Sequence, residues 1–228
     1  MQKVRGVEFS SLYDNLLYPP KPASAVIPEW YKNTESYLMK DKVALQGQGF
    51  ATIKKCVPVF DAITAGYIIF SSTDIQVQRI NNESQFSFPT GSQIETHINL
   101  QAFLHPASNG ERFPKFMNPW VIKTPKGYST LFTQPFHRDA PFTILDGIVD
   151  TDTYYDAVNF PFVLNDPLWE GLIPAGTPLA QVIPFKRELF KMSIETRDDE
   201  TINKTRAIIN SHFFDKYRNH FWSRKEYR

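Results

Sequence analysis

The sequence is poor in cysteine and glycine, and it has no long apolar run. Its 228 residues include one cysteine, Cys56, so a single chain can form neither an internal disulfide nor a zinc site built from several cysteines. No apolar stretch reaches the length of a membrane span, and the N-terminus lacks the apolar core of a signal peptide. The net charge of +1 gives no global reason to bind nucleic acid or a membrane. We therefore expect a protein of a reducing cytosol, or of a virion assembled in one.

Aromatic residues and prolines are abundant by contrast. The chain has 19 Phe and 10 Tyr against only 10 Gly, and 42% of its residues are hydrophobic. This composition predicts a globular core of aromatic-rich strands rather than a glycine-rich nucleotide fold. The 17 prolines are scattered, which predicts many turns and few long helices.

The chain divides into three predicted parts. Residues 1–40 form an extended N-terminal arm with a short helix after Pro28, and residues 199–228 form a C-terminal helix and a basic-aromatic tail. Residues 41–198 form a β domain, which begins with a short helix at 58–65 that Gly66 ends. Period-two patterning predicts strands at 67–70, 74–78, 85–88, 93–100, 119–124, 128–133, 143–149, 158–164 and 179–187. The fold class is mostly β, a barrel or a sandwich.

Two aspartates end an apolar strand and are the first candidates for chemistry. Asp150 and Asp152 point to the same side of an extended strand, so they could share a proton, activate water or bind Mg²⁺. The alternative is that they end the strand and hydrogen-bond their own turn, which we favour for Asp152.

Residues 147–154 (GIVDTDTY) and 171–183 (GLIPAGTPLAQVI) together resemble the dUTPase and dCTP deaminase superfamily. The resemblance implies a β-clip, or distorted barrel, that generally forms trimers. It also implies that Asp150 orients or deprotonates an attacking water, that Tyr154 packs on a substrate sugar from one residue later than usual, and that the Gln181 amide belongs to the site. Residues 126–128 resemble the strand before the substrate loop of those enzymes.

This sequence departs from those enzymes in its phosphate-binding parts. Residues 134–138 contain no serine where a Pro-Arg-Ser-Ser loop would be, so Arg138 or Lys126 would have to meet an anion. A helix replaces the glycine-rich C-terminal arm, and the glutamate of dCTP deaminases is missing. These departures favour binding of a nucleotide or similar small anion over catalysis.

The chain from residue 27 onward also resembles an uncharacterised family of bacteria and large tailed phages, through residues 52–62, 118–129 and 176–187. That likeness implies a phage-type protein of the host cytoplasm or the virion. The alternative function is a non-enzymatic structural or assembly protein that uses the fold as a scaffold, and the loss of the phosphate loop favours it.

Two other patterns give weaker candidates. His137 and Asp139 have the spacing of a non-haem iron site, for which His212 or His220 would supply the third ligand. The tail from residue 216 interleaves cations with aromatic rings, which suits contact with nucleic acid or with another subunit. Because the chain is nearly neutral, we expect the protein contact, through Phe221 and Trp222.

Overall fold

The structure, a computed structural model, describes residues 6–13, 18–38, 50–81, 83–89, 91, 93–96, 105–107, 113–196, 199–210 and 215–228. Within this part four α-helices are present: α1 (Glu29–Asn33), α2 (Val57–Thr64), α3 (Asp199–Asn210) and α4 (Lys216–His220). Two 3₁₀ helices accompany them, η1 (Ala23–Ala25) and η2 (Ile53–Lys55). The strands are β1 (Glu8–Ser10), β2 (Lys21–Pro22), β3 (Tyr37–Leu38), β4 (Phe50–Ala51), β5 (Tyr67–Phe70), β6 (Ile75–Ile80), β7 (Glu83–Ser87), β8 (Ile94–Thr96), β9 (Pro114–Phe116), β10 (Val121–Lys123), β11 (Tyr128–Thr133), β12 (Phe142–Ile144), β13 (Gly147–Val149), β14 (Phe160–Leu164), β15 (Gly171–Ile173) and β16 (Pro178–Lys186).

The strands form antiparallel sheets. The largest has five strands in the order β13-β11-β16-β5-β2, a second has the order β12-β14-β9-β8, and a third has the order β15-β6-β7. β1 pairs with β10 and β3 with β4. The predicted mostly-β class is confirmed, although the described strands do not close into a barrel.

Strand β5, which lies between β16 and β2, is buried on both faces of the five-stranded sheet. Because side chains alternate along a strand, Tyr67 and Ile69 join the main core, whereas Ile68 and Phe70 pack with Ala23 of η1. All four residues of β5 are consequently buried, and the N-terminal residues cover the second face of the sheet.

Stacked phenylalanines fill the main core. The Phe116 and Phe162 rings lie 3.9 Å apart, centroid to centroid, at 14°, and Phe142 meets Phe116 edge-on at 4.8 Å. These three side chains come from β9, β14 and β12 of one sheet and are at most 2% exposed. The abundance of Phe in the sequence therefore serves sheet packing.

Gly66 joins α2 to β5 at a point where no side chain fits. Its φ is +67°, and a Cβ there would lie 2.0 Å from the carbonyl oxygen of Val182. Glycine permits both the left-handed backbone and this contact between the turn and β16.

Several predicted elements are confirmed, and others differ from the structure. The short helices near Pro28 and residue 58 are present as α1 and α2, and the strands predicted at 67–70 and 128–133 have the observed bounds. The single strand predicted at 143–149 is instead two strands, β12 and β13, which belong to different sheets. Residues 97–100 of another predicted strand lie outside the described residues.

The C-terminal region folds back onto its own chain. Instead of one helix, the described residues form α3 and α4, and Trp222 Nε1 donates to both carboxylate oxygens of Asp61 in α2 at 3.0 and 2.9 Å. Lys225 pairs with the same carboxylate at 2.6 Å. The contact of Trp222 is thus with its own α2. The division of the chain at residues 40 and 198 stays a prediction.

None of the helices in the described residues has both the length and the apolar character needed to cross a bilayer.

Candidate functional site

The two predicted aspartates meet an arginine at one end of the five-stranded sheet. β13 and β16 both pair with β11, so the turn that follows β13 lies beside the residue that follows β16. That residue is Arg187, whose own N–H donates to the carbonyl of Gly127 at 2.8 Å. We call Asp150, Asp152 and Arg187, with Ser129, the Arg187 cluster.

Short hydrogen bonds join the members of the Arg187 cluster. Arg187 Nη1 lies 2.9 Å from Asp150 Oδ1 and 2.9 Å from Asp152 Oδ1, and Nη2 lies 2.5 Å from Asp152 Oδ2. The Gly127 N–H donates to Asp152 Oδ2 at 2.7 Å, and Ser129 Oγ donates to Asp150 Oδ1 at 2.6 Å. The Asp152 side chain is 2% exposed, whereas that of Asp150 is 62% exposed. Asp152 is therefore a buried, hydrogen-bonded structural residue, and Asp150 is open to solvent.

The charges of the Arg187 cluster reinforce one another. The hydrogen bond from Arg187 and then that from the Gly127 N–H hold the pKa of Asp152 below its usual value. The hydrogen bond with Asp152 raises the pKa of Arg187 in turn. The guanidinium supplies the positive charge between the two carboxylates, at the place where a bound Mg²⁺ would stand. The cluster thus fits an internal ion pair better than a metal site.

Asp150 keeps part of its hydrogen-bonding capacity. Its Oδ1 accepts from Ser129 and Arg187, while Oδ2 has no hydrogen bond within the described residues. Tyr154, 46% exposed, follows in the same turn and donates its N–H to the Asp150 carbonyl at 2.9 Å. Lys126 is exposed in the turn that also contains Gly127. The structure brings these three predicted residues to one side of the domain.

Gln181 is not part of that group. It is fully buried, and its Nε2 donates to the carbonyls of Ala62 and Ala65 at 2.8 and 2.7 Å. Its Oε1 accepts from the Phe136 N–H at 2.9 Å. The side chain joins the C-terminal end of α2 to the loop after β11, so all of its amide atoms are used inside the fold.

The sheet register also separates Gln181 from Asp150 within one chain. Thr133 faces Gln181 on β16, and Ser129, the partner of Asp150, lies four residues earlier on β11. Four residues of strand span about 13 Å. The catalytic role of Asp150 and the ligand-binding role of Gln181 stay predictions.

Arg138 has an unusual environment. Its Nη2 donates to the carbonyl of Val26, and its Nε is buried without a hydrogen-bond partner in the described part of the chain. Burial lowers the pKa of this arginine. No carboxylate pairs with it among the described residues, so the guanidinium is a half-buried cation without a counter-ion.

No set of three His, Cys, Asp or Glu side chains in the described ranges is placed to hold a metal ion. His137 has a left-handed backbone, with φ at 54°, and its carbonyl accepts from Trp30 Nε1 at 2.7 Å. His220 lies in α4, and His212 lies outside the described residues. The iron-site alternative therefore has no support from this geometry.

Arg187 is the member of the Arg187 cluster to which the sequence assigned no role. A basic residue directly after a strand was the only local signal. Its partners are 35 and 37 positions away, and only the pairing of β11 with β13 and β16 brings them together.

Comparisons with known proteins give distant similarities. No protein-family model matches the sequence, and no curated protein shows a significant match. A mutant dUTPase from phage phi11 of S. aureus is 13% identical, over 59% of this chain and 85% of its own, with a TM-score of 0.33. A mutant dUTPase of Staphylococcus bacteriophage 80alpha, solved with dUpNHpp, is 11% identical, over 86% of this chain and 91% of its own, with a TM-score of 0.36.

The chain has a mostly-β fold that is distantly similar to that of phage dUTPases. At this level of identity the similarity assigns neither an activity nor a site residue to this chain.

Proposed function

We propose that this chain is a non-enzymatic structural or assembly protein that works as a homo-oligomer. The proposal rests on the exposure of residues 188–196, which we call the apolar segment. Every residue in it is exposed, and it contains no helix or strand. Leu189, Phe190, Met192 and Ile194 are 104%, 88%, 84% and 89% exposed. Contiguous apolar surface of this kind marks an interaction site in soluble proteins.

Burial of these side chains yields enough free energy to matter for association. A large apolar side chain contributes about 1.5–3 kcal/mol when it is fully buried. Four of them contribute roughly 6–12 kcal/mol, which is comparable with the roughly 4–15 kcal/mol lost in bringing two molecules together. A partner surface that covers the apolar segment would therefore be bound stably when a few further contacts are added.

The charges favour a second copy of this chain as the partner. Glu188, Lys191 and Glu195 place both signs within the apolar segment, so a strongly acidic or basic partner has no advantage. The net charge of +1 means that two copies repel each other little. Exposed apolar side chains elsewhere, such as Ile148 on the edge strand β13, give a second copy matching surface.

Analytical ultracentrifugation of the full chain tests this proposal. We expect the wild type to sediment as an oligomer and the double variant Phe190→Ser, Met192→Ser to sediment as a monomer with an unchanged circular dichroism spectrum. Leu12→Ser is the matched control, because Leu12 is 97% exposed outside the apolar segment, and this variant should remain oligomeric. A monomeric wild type, or an oligomeric double variant, would refute the proposed assembly.

A second candidate function is binding of a nucleotide or a similar small anion without turnover. The half-buried guanidinium of Arg138, which has no carboxylate partner in the described part of the chain, favours it, because a bound anion would supply the missing counter-charge. Arg138 follows the opposite end of β11 from Asp150, Tyr154 and Lys126, so these three residues would join such a site only across an interface between copies. Asp152 and Gln181 would then contribute as supports, or from an interface between copies. If a reaction did occur, Asp150 would be the base for an attacking water.

Thermal unfolding with added nucleotides, with and without Mg²⁺, tests the second candidate. A ligand that binds only the folded state must raise the melting temperature by mass action. We expect the rise to be lost in Arg138→Met and kept in the matched control Arg224→Met, because the Arg224 side chain is 75% exposed. No rise with any nucleotide would exclude this function.

A further inference from the structure

A pocket beside α2 combines aromatic rings with positive charge. It lies between α1, η2, α2 and α4, and its volume is about 260 Å³. Three aromatic and three cationic side chains are among those that line it: Tyr31, Phe60, Trp222, Lys54, Lys55 and Arg218. We call it the Tyr31 pocket.

Rings form the apolar side of the Tyr31 pocket. The Tyr31 and Phe60 rings stack with their centroids 6.1 Å apart at 30°. The Tyr31 hydroxyl donates to the Lys54 carbonyl at 3.1 Å, and the Trp222 indole N–H is fixed by Asp61. These hydrogen bonds hold the rings of Tyr31 and Trp222 in place. A planar ligand would therefore meet a pre-formed aromatic surface.

The positive charge of the Tyr31 pocket is only partly neutralised. Lys55 pairs with Asp215 at 2.8 Å, and Asp215 is the one acidic residue among the described lining residues. Lys54 Nζ donates to the Lys32 carbonyl at 2.6 Å, and Arg218 lies over the Trp222 ring at 5.7 Å. Neither Lys54 nor Arg218 has a carboxylate partner within the described ranges. The lining side chains thus have a net charge of two positive units.

The backbone adds to this positive potential. α2 begins at Val57, which lines the pocket, and its first turn contains no acidic residue. Cys56, which precedes the helix, makes no side-chain capping bond to it. The unpaired N–H groups of a helix N-terminus attract anions, and here they adjoin Lys54 and Arg218, which have no carboxylate partner within the described residues.

We propose that the Tyr31 pocket binds a small aromatic anion, a planar ring that carries a phosphate group. The ring would pack against Tyr31, Phe60 and Trp222, and the phosphate would be bound by Lys54 and Arg218. This site shares no residue with the apolar segment or with the Arg187 cluster, so its test is independent of the proposed function.

Calorimetric titration of the full chain with matched probes tests the proposal. Phenyl phosphate carries both features, inorganic phosphate carries the charge alone, and phenol carries the ring alone. We expect phenyl phosphate to bind about tenfold more tightly than either partial probe, because stacking and charge pairing act together. AMP and UMP distinguish the source of the aryl phosphate: tighter binding than phenyl phosphate assigns a nucleotide, and weaker binding assigns a simpler aryl phosphate.

Variants locate the binding site. Arg218→Ala should weaken phenyl phosphate binding about tenfold, since one charge-assisted contact is lost, and Arg224→Ala, outside the pocket, should bind like the wild type. The nuclear magnetic resonance signal of the Trp222 indole N–H, assigned with Trp222→Phe, should shift with phenyl phosphate in the wild type. Equal binding by inorganic phosphate, unchanged affinity in Arg218→Ala, or an unmoved Trp222 signal would each overturn the proposal.

Discussion

The buried amide of Gln181 offers a direct test of whether this residue is structural or ligand-binding. Gln181→Met keeps nearly the same side-chain length and removes the amide. The Ala62 carbonyl would still accept from the Ala65 N–H at 3.4 Å, but the Ala65 carbonyl and the Phe136 N–H would lose their partner inside the fold. A buried polar group without a partner costs about 1–3 kcal/mol, so two such groups predict a loss of roughly 2–6 kcal/mol.

Urea unfolding followed by circular dichroism measures this loss. The control is Gln78→Met, the same replacement at an exposed position of β6 where the amide makes no hydrogen bond in the described structure, and we expect it to change stability little. The loss predicted for Gln181→Met is a large share of the 5–15 kcal/mol typical of a folded domain. A loss below about 1 kcal/mol would refute the structural role, because it would mean that the two groups find other partners at little cost.

Two further predictions concern an ion pair and a glycine. Because the pKa of Asp152 is lowered in the folded state, its contribution to stability is present above the unfolded value of about 3.9 and is lost as pH falls through the folded pKa. The stability gap between the wild type and Asp152→Asn should therefore shrink on acidification in urea titrations at several pH values. The control variant Asp146→Asn, at an exposed position, should lose stability on acidification as the wild type does. A stability difference between the wild type and Asp152→Asn that does not change with pH would contradict the role of the Asp152–Arg187 ion pair. Gly66→Ala should destabilise the fold by more than about 2 kcal/mol, whereas Gly127→Ala, at φ +88° with nothing within 4 Å, should cost only the backbone strain of about 1–2 kcal/mol. Equal melting temperatures for the two glycine variants would show that the contact with Val182 relaxes.

The strands were largely predictable from local pattern, because period two and flanking turns are visible in sequence. The break between β12 and β13 was not, since residues 143–149 form one apolar run with Asp146 as its only charged residue. The chain leaves one sheet there and enters another, and that change depends on tertiary packing. The pattern alone gave no reason to divide the run.

The candidate site was predictable only in part. Asp150 and Asp152 do share a partner, but they lie in the turn after β13 rather than on an extended strand, and the partner is Arg187. Alternation along β16 does not reveal that Gln181 points to the end of α2, because an amide among aliphatic residues suits a ligand pocket and a buried backbone contact equally well. Pairing over more than 30 residues decides both outcomes.

The position of Arg187 has a consequence for the segment that follows it. Arg187 directly follows β16, and its guanidinium and backbone N–H bind it to the turns that contain Asp152 and Gly127. The apolar segment therefore begins at a residue whose position is fixed. A segment whose first residue is already fixed loses less conformational entropy when the rest of it binds a partner. Replacing Arg187 should therefore weaken self-association, although Arg187 is not part of the apolar segment that would contact the second copy.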